Sequence, residues 1–273
     1  MSKKQGQGQS LKDTLQSAFA TGAILIALIV SYLVYKFVMG SGANFEGGNP
    51  EGHPIPGNYL AMIYKGGIIV PLLMACVLTV LIFTIERFVM IRKARGTGRI
   101  NIFVKSIQTS LSANKIDEAL ATCDKQKGSV ANVMKAGLNK YKELKNDSVL
   151  EKDQKVLALQ KDMEESTALE LPMLSKNLVI LSTLASISVL IGVIGTVLGM
   201  IKAFAALATA GSPDALALAT GISEALINTA FGITGSTIAI VFYNYFSSKI
   251  DALTFKIDEA GFSLVQTFAA TTK

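Results

Sequence analysis

The sequence predicts an all-α membrane protein with four transmembrane helices and a helical cytoplasmic region. Four apolar runs are each long enough to cross about 30 Å of hydrocarbon at a rise of about 1.5 Å per residue. Only Lys36 and Glu224 are charged within these runs. Between the second and third runs the pattern is helical, with no strand-like alternation of apolar and polar residues. The runs cover 18–39, 66–85, 178–201 and 222–246.

Basic residues in the loops predict the orientation, since cytoplasmic loops carry the excess of Lys and Arg. Residues 92–176 hold 16 basic and 11 acidic residues, whereas the loop at 40–65 holds one basic residue, Lys65. Three lysines precede the first run. We therefore expect both termini and the middle region to be cytoplasmic. Four basic residues crowd the exit of the second run: Arg92, Lys93, Arg95 and Arg99.

These signals divide the chain into cytoplasmic, transmembrane and external segments. The first transmembrane helix is expected to remain as an uncleaved anchor, because its apolar run exceeds the about 7–15 residues of a signal peptide. On the cytoplasmic side we expect an N-terminal tail at 1–17, a helical region at 92–177 and an amphipathic helix at 248–273. We expect the transmembrane helices at 18–39, 66–91, 178–208 and 220–247, an external loop at 40–65 and an external turn at 209–219.

Composition argues against several kinds of site. Cys76 lies in a transmembrane run and Cys123 in the cytoplasmic region, so neither a disulfide nor a C-x-x-C metal site is expected. His53, the only histidine, lies in a loop rich in Gly and Pro. The net charge of +6 reflects mainly the basic residues of the segments expected in the cytoplasm. Because no nucleic-acid recognition motif accompanies this charge, nucleic-acid binding is not expected. With no catalytic, cofactor or metal-binding motif, we expect neither an enzyme nor a cofactor.

The cytoplasmic segments carry helix signals. Asn114 is expected to cap a helix that Gly128 ends. Ser148 and Glu151 fit a capping box for a later helix, which Pro172 is expected to interrupt. The last segment has an apolar stripe at three- and four-residue steps, which predicts packing on the other cytoplasmic helices or, alternatively, on a membrane surface. The stripe consists of Ile250, Leu253, Ile257, Ala260 and Leu264.

Glu224 stands out because a carboxylate at membrane depth costs about 2.5–3.5 kcal/mol on insertion scales and usually faces a bundle interior, a partner or an ion path. The last two spans form a predicted hairpin about the Ser-Pro pair at 212–213, and Thr196 and Thr229 lie at equal distances from this turn. We therefore expect the two hydroxyls at one depth. The same rule sets Glu224 beside Lys202, which is expected either to pair with it or to extend to the external interface.

Small residues recur on the last two spans at steps of three and four, which is typical of close helix contacts in membranes. Two such stripes on each helix predict contacts with more than one neighbour, from the same chain, further subunits or a partner helix. A threonine in such a helix also commonly bonds the carbonyl four residues earlier and does nothing else. The small residues are Ser188, Gly192, Gly195 and Gly199 on the third span, and Gly221, Ala225, Asn228, Gly232, Gly235 and Ala239 on the fourth.

Two segments carry a family resemblance. ASISVLIGVIGTVLGMIKAF and GISEALINTAFGITGSTIAIVFYN resemble the two signature helices of the MotA/TolQ/ExbB proton-channel family. The G-T-V-x-G core is Gly195 to Gly199, and the G-I-x-E-A-L-x-x-T-A-x-G core is Gly221 to Gly232. The lead-in LELPMLSKN is similar to that of ExbB-like chains, and the resemblance is strongest to ExbB.

The resemblance implies a multi-pass subunit of a motor in the bacterial inner membrane, with the external segments in the periplasm. ExbB-like subunits form a ring, typically a homopentamer, around paired helices of a small single-span partner resembling ExbD. That partner carries a membrane aspartate, which faces threonines of the ring. If the roles of the family's residues hold at the matching positions of this chain, Thr196 and Thr229 line the ion path. Glu224, Asn228 and Lys202 would then act in coupling or at the ring interface. Work would pass through a TonB-like protein to outer-membrane transport.

Two features depart from the ExbB pattern: the extra helix at 18–39, and the positive charge of Lys202 near the outer end of the path. Lys202 is expected to face lipid headgroups or Glu224. Three alternatives stay open. The chain could be a TolQ-like subunit for envelope maintenance, a self-contained proton-coupled transporter that uses Glu224, or a structural scaffold. The inverted repeats and broken helices typical of transporters are not evident in the sequence.

Overall fold

The fold is helical throughout the part of the chain that the structure describes. A computed structural model describes residues 2–208 and 214–271, with the backbone alone for residues 2–17. The predicted all-α class is confirmed: in these residues the only extended pairing is an isolated bridge between Phe45 and Pro54. The helices are α1 (Ser2–Leu33), followed by a π-helical segment at Val34–Met39, α2 (Tyr59–Tyr64), α3 (Ile69–Arg95), α4 (Ile100–Ser112), α5 (Ile116–Gln126), α6 (Gly128–Asn146), α7 (Lys152–Ser175), α8 (Leu178–Leu207) and α9 (Ala215–Thr271).

Four helical stretches are long and apolar enough to cross a membrane, as predicted. The helices of the second and fourth spans begin at residues other than the predicted ones. The second span was expected from residue 66, but Gly67 has a φ of +78°, so the helix begins only at Ile69. The fourth was expected from residue 220, but the carboxylate of Asp214 accepts hydrogen bonds from the N–H groups of Leu216 and Ala217, so α9 begins at Ala215. The predicted turn at 212–213 lies outside the described residues.

The chain divides into two compact units, Met1–Ile85 with Val179–Tyr243 (unit 1) and Glu86–Leu178 with Asn244–Lys273 (unit 2). In unit 1, α1 buries a narrow face of small side chains made of Ala23, Ala27 and Ser31. At the end of this helix Tyr35 stacks on Tyr64 with the ring centroids 4.7 Å apart, and its hydroxyl donates to the Tyr64 carbonyl. The extra N-terminal helix is thereby tied to the segment that precedes α3.

In unit 2, the predicted apolar stripe of the last segment is buried, all five of its side chains being less than 10% exposed. Tyr141 of α6 meets Phe268 of α9 edge-to-face at 4.7 Å, and its hydroxyl bonds that of Thr271 at 2.8 Å. The stripe therefore packs within this helical unit, the first of the two predicted alternatives. Arg87 is buried here as well, paired with Glu86 and donating to the Leu174 carbonyl at 3.0 Å.

The predicted helix boundaries in the middle region were wrong in detail. Asn114 has a φ of +60° and precedes the cap position, so it does not cap α5. Gly128 does not end α5 but begins α6. The capping box of α7 is formed by Glu151 and Gln154 rather than by Ser148 and Glu151. Pro172 lies inside α7, which runs three residues further to Ser175.

Candidate functional site

Thr196 of α8 and Thr229 of α9 form a hydroxyl pair in unit 1. Their Oγ1 atoms are in hydrogen-bond contact, so the two hydroxyls lie at one depth, as the equal spacing from the hairpin turn predicted. The Oγ1 of Thr196 also lies 3.1 Å from the Gly192 carbonyl oxygen, and that of Thr229 lies 3.1 Å from the Ala225 carbonyl oxygen. Because a hydroxyl has one hydrogen to donate, one threonine donates to the other, which in turn donates to its own helix. The pair can therefore pass a proton along or offer two oxygens to a cation.

The hydroxyls meet because glycines let α8 and α9 approach closely. A Cβ on Gly232 would lie 2.7 Å from the Ser188 carbonyl oxygen and 2.9 Å from the Gly192 Cα. A Cβ on Gly199 would lie 2.7 Å from the backbone of both Gly221 and Ala225. Such distances leave no room for a methyl group. The packing glycines predicted from the small-residue stripes therefore lie in this contact.

Two further predicted glycines lie at the edges of the same contact. A Cβ on Gly195 would lie 2.5 Å from the Asn228 Cβ. A Cβ on Gly235 would lie 3.2 Å from Val77 of α3 and 3.5 Å from Ser188. The stripe on α9 thus faces both α8 and α3. This arrangement meets the expectation that each small-residue helix has more than one neighbour.

Glu224 and Lys202 form a bidentate ion pair near the hydroxyl pair. The Nζ of Lys202 lies 2.7 and 2.8 Å from the two carboxylate oxygens of Glu224. Of the two predicted placements for Lys202, the structure has the one that pairs with Glu224. The Glu224 side chain is 6% exposed and that of Lys202 is 58% exposed. The carboxylate is therefore inside the unit, and its charge is neutralised from the surface side.

Asn228 connects this cluster to the segment before α3. It is fully buried, and its Nδ2 donates to the Gly66 carbonyl at 2.9 Å. The next residue, Gly67, has a positive φ, and a Cβ there would collide with the Glu224 carboxylate. Sequence analysis placed Asn228 on the packing stripe but missed Gly66 and Gly67. The paired glycines at the start of an apolar run were the available signal, since adjacent glycines mark a break in a helix.

Among the described residues, no group of three or more His, Cys, Asp or Glu side chains could hold a metal ion. In those residues the spans contain one buried carboxylate, Glu224, and it is already paired. The site therefore offers hydroxyls, an amide and a neutralised ion pair. These groups suit passage of an ion better than bond-breaking chemistry.

Comparison with known proteins agrees with this chemistry. Residues 125–259, which contain α8 and most of α9, match the model of the MotA/TolQ/ExbB proton channel family. This segment of the chain is therefore similar to the domain of that family. The predicted family resemblance is thus confirmed, and it covers all five residues expected at the ion path or in coupling.

Relatives carry both the TolQ and the ExbB names. The Tol-Pal system protein TolQ of Pseudomonas aeruginosa is 25% identical over 71% of this chain and 84% of its own length. A putative biopolymer transport protein ExbB homolog of Methanothermobacter thermautotrophicus is 27% identical over 71% of this chain and 65% of its own length. The biopolymer transport protein ExbB of Salmonella typhimurium is 37% identical over 26% of this chain and 29% of its own length. The longer alignment is with TolQ, while the higher identity is with ExbB.

Proposed function

We propose that this chain is an ExbB-like, non-enzymatic subunit of a proton-driven motor in the bacterial inner membrane, and that Thr196 and Thr229 line its ion path. The observation that carries the proposal is the hydroxyl pair on α8 and α9, inside the matched family domain. Threonine hydroxyls in membrane helices bond their own helix or a neighbouring one, and two of them in contact offer an ion two adjacent oxygens.

The proton-binding carboxylate is proposed to come from a partner. Among the described residues of the spans, the one buried carboxylate is that of Glu224, and Lys202 holds both of its oxygens. A carboxylate held by an ammonium is a poor carrier, because protonation would break the pair. A single-span, ExbD-like protein with a membrane aspartate supplies the missing group, and the hydroxyl pair provides its contact on this chain.

The assembly follows from the same proposal. Several copies, in a ring that we take to be a homopentamer, surround the partner helices, and both termini are cytoplasmic. Glu224, Lys202 and Asn228 couple the path to the ring interface. The extra helix α1 lies at the periphery, since its buried face consists of small residues and its other apolar side chains are exposed.

One proton crossing about 100 mV releases about 2.3 kcal/mol, so several protons drive each stroke of a TonB-like partner and the outer-membrane transport that it energises.

A TolQ-like role in envelope maintenance is the second candidate. It is favoured by the alignment to TolQ, which extends over 84% of that relative's own length, against 65% for the ExbB homolog of Methanothermobacter thermautotrophicus and 29% for the Salmonella ExbB. A self-contained transporter with Glu224 as the proton carrier is less well supported, because that carboxylate is paired with Lys202.

Co-purification tests the partner, and substitution tests the path. A small single-span protein with a membrane aspartate should purify with the chain. Thr196→Val and Thr229→Val, which remove the hydroxyls and keep the volume, should abolish energised uptake while the complex still assembles. Loss of envelope integrity instead of uptake would favour the TolQ-like role. Uptake intact in both variants would contradict the path.

A further inference from the structure

Unit 2 contains a groove lined by both apolar and basic side chains. It has a volume of about 860 Å³ and is formed by the end of α3, the start of α4 and the middle of α9. None of its lining residues is acidic. The aromatic and aliphatic lining is chiefly Phe88, Ile91, Tyr245, Phe246 and Leu253, and the five cations are Arg92, Arg95, Arg99, Lys249 and Lys256.

Most of these cations have no carboxylate partner. In residues 2–208 and 214–271, no ion pair involves Arg92, Arg95 or Arg99. Lys249 lies over the ring of Tyr245, with its Nζ 5.5 Å from the centroid, and only Lys256 is paired, with Glu259 at 2.6 Å. Like charges gathered in one groove repel one another. An anion in the groove would relieve that repulsion.

The groove lies where two apolar segments give way to basic ones along the chain. In α3, Phe88 and Ile91 are followed at once by Arg92 and Arg95, and in α9 Phe246 is followed by Lys249. This is the order in which a membrane-spanning helix leaves the hydrocarbon for the headgroup layer. Phe88 and Ile91 then lie at the depth of acyl chains, and Arg92 and Arg95 lie at the depth of phosphates.

We propose that the groove binds an anionic phospholipid, with its phosphate held by the arginines and its acyl chains along Phe88 and Tyr245. The volume lies within the about 300–1,000 Å³ of small-molecule sites and exceeds what a lone phosphate fills. Arginine suits this ligand because its planar fork matches phosphate oxygens. A free phosphate would leave the apolar wall without a partner. The inference rests on the groove alone and not on the ion path.

Native mass spectrometry of the full-length chain in mild detergent tests the proposal by titration with phosphatidylglycerol and, in parallel, with phosphatidylcholine. Phosphatidylglycerol should bind the more tightly. The triple variant Arg92→Gln/Arg95→Gln/Arg99→Gln should weaken its binding by about a hundredfold, given the usual contribution of each basic residue to anionic-lipid binding. The triple Arg→Lys variant, which keeps the charge but loses the planar fork, should bind more tightly than the triple Gln variant and less tightly than the wild type. A control variant, Lys125→Gln/Lys152→Gln/Lys161→Gln, removes the same charge from exposed lysines outside the groove and should bind like the wild type.

A second pair of variants tests the apolar wall without disturbing the arginines. Phe88 is 54% exposed and Leu157, outside the groove, is 67% exposed, so both tolerate replacement by Gln. Phe88→Gln should weaken binding of phosphatidylglycerol, and Leu157→Gln should not. Three results would each overturn the proposal: equal binding of the two lipids, equal effects of the triple Arg→Gln variant and the triple Lys→Gln control, or full displacement of phosphatidylglycerol by inorganic phosphate. The last result would indicate a site for free anions.

Discussion

Lys202 and Glu224 join α8 to α9 through an ion pair whose two ends lie in different environments. The ammonium approaches both carboxylate oxygens within 2.8 Å, yet the lysine side chain is 58% exposed and the glutamate side chain 6%. A buried charge without a partner is far more costly than an exposed one. The pair should therefore respond very differently to the loss of either member.

We predict that Lys202→Met destabilises the protein more than Glu224→Gln. The first variant leaves a buried carboxylate without its cation, which costs about 3–5 kcal/mol in fully buried pairs and less here, because Lys202 is partly exposed. The second leaves a lysine that can extend into its surroundings. Thermal unfolding in detergent measures both. The double variant should recover most of the loss, and a Lys202→Met variant as stable as Glu224→Gln would contradict the asymmetry.

Gly67 should prove essential to the placement of Glu224. Gly67→Ala combines a φ of +78° with a Cβ that collides with the carboxylate. Gly57→Ala is the matched control, since its φ is +82° but nothing lies within 4 Å of the added Cβ. Both variants incur about 1–2 kcal/mol of backbone strain, and only Gly67→Ala should also reduce transport. Equal transport by the two variants would show that the position of Glu224 does not depend on Gly67.

The close approach of α8 and α9 predicts a second glycine effect. A Cβ on Gly232 would meet the backbone of Gly192 and Ser188 at less than 3 Å, whereas a Cβ on Gly22 of α1 would meet nothing within 4 Å. Gly232→Ala should lower the free energy of unfolding by about 1–3 kcal/mol, as overpacking does. Gly22→Ala should be neutral or stabilising by up to about 1 kcal/mol, because alanine favours a helix over glycine. Chemical denaturation in detergent compares them, and equal stabilities would contradict the packing.

Cys123 should be an unreactive thiol. Burial, followed by the charge of Asp124, raises its pKa from 9.0 to about 12. The test compares Cys123 with a cysteine placed at an exposed position by Ala121→Cys, both in a Cys76→Ala background. Iodoacetamide at pH 8 should modify Cys123 at least about tenfold more slowly, because the thiolate is the reactive form. A comparable rate at the two positions would contradict the raised pKa.

The same shift has a consequence for stability. A thiol with a raised pKa in the folded state favours folding while it is neutral, below the unfolded value of 9.0. This contribution should be lost as the pH rises from about 9 towards about 12. In a Cys123→Ala variant this part of the alkaline loss of stability should be absent. Denaturation at a series of pH values measures it.

The main lines of the fold and of the candidate site follow from local patterns in the sequence. The length of the apolar runs predicted the spans, equal spacing from the turn predicted that Thr196 and Thr229 lie at one depth, and the stripe on the last segment predicted its packing on other helices. Each of these predictions depends only on the regular rise and periodicity of a helix, which can be read from lengths and spacings in the sequence.

What the sequence did not predict depends on contacts between distant segments or on backbone conformation. The bond from Asn228 to the Gly66 carbonyl joins residues that are 162 positions apart. The choice of Lys202 between Glu224 and the interface depends on the rotation of α8 against α9. Asn114 was misread as a cap because asparagine is common both at cap positions and in the left-handed conformation that it adopts here.

The most direct test of the proposed ion path is proton influx into energised vesicles that contain the chain and its co-purifying partner. The variants are Thr196→Val and Thr229→Val. The matched controls are Thr183→Val on α8 and Thr234→Val on α9, exposed threonines whose hydroxyls bond carbonyls of their own helix. We predict that influx is abolished in the first two variants and kept in the controls. Influx at the wild-type rate in both Thr196→Val and Thr229→Val would contradict the account.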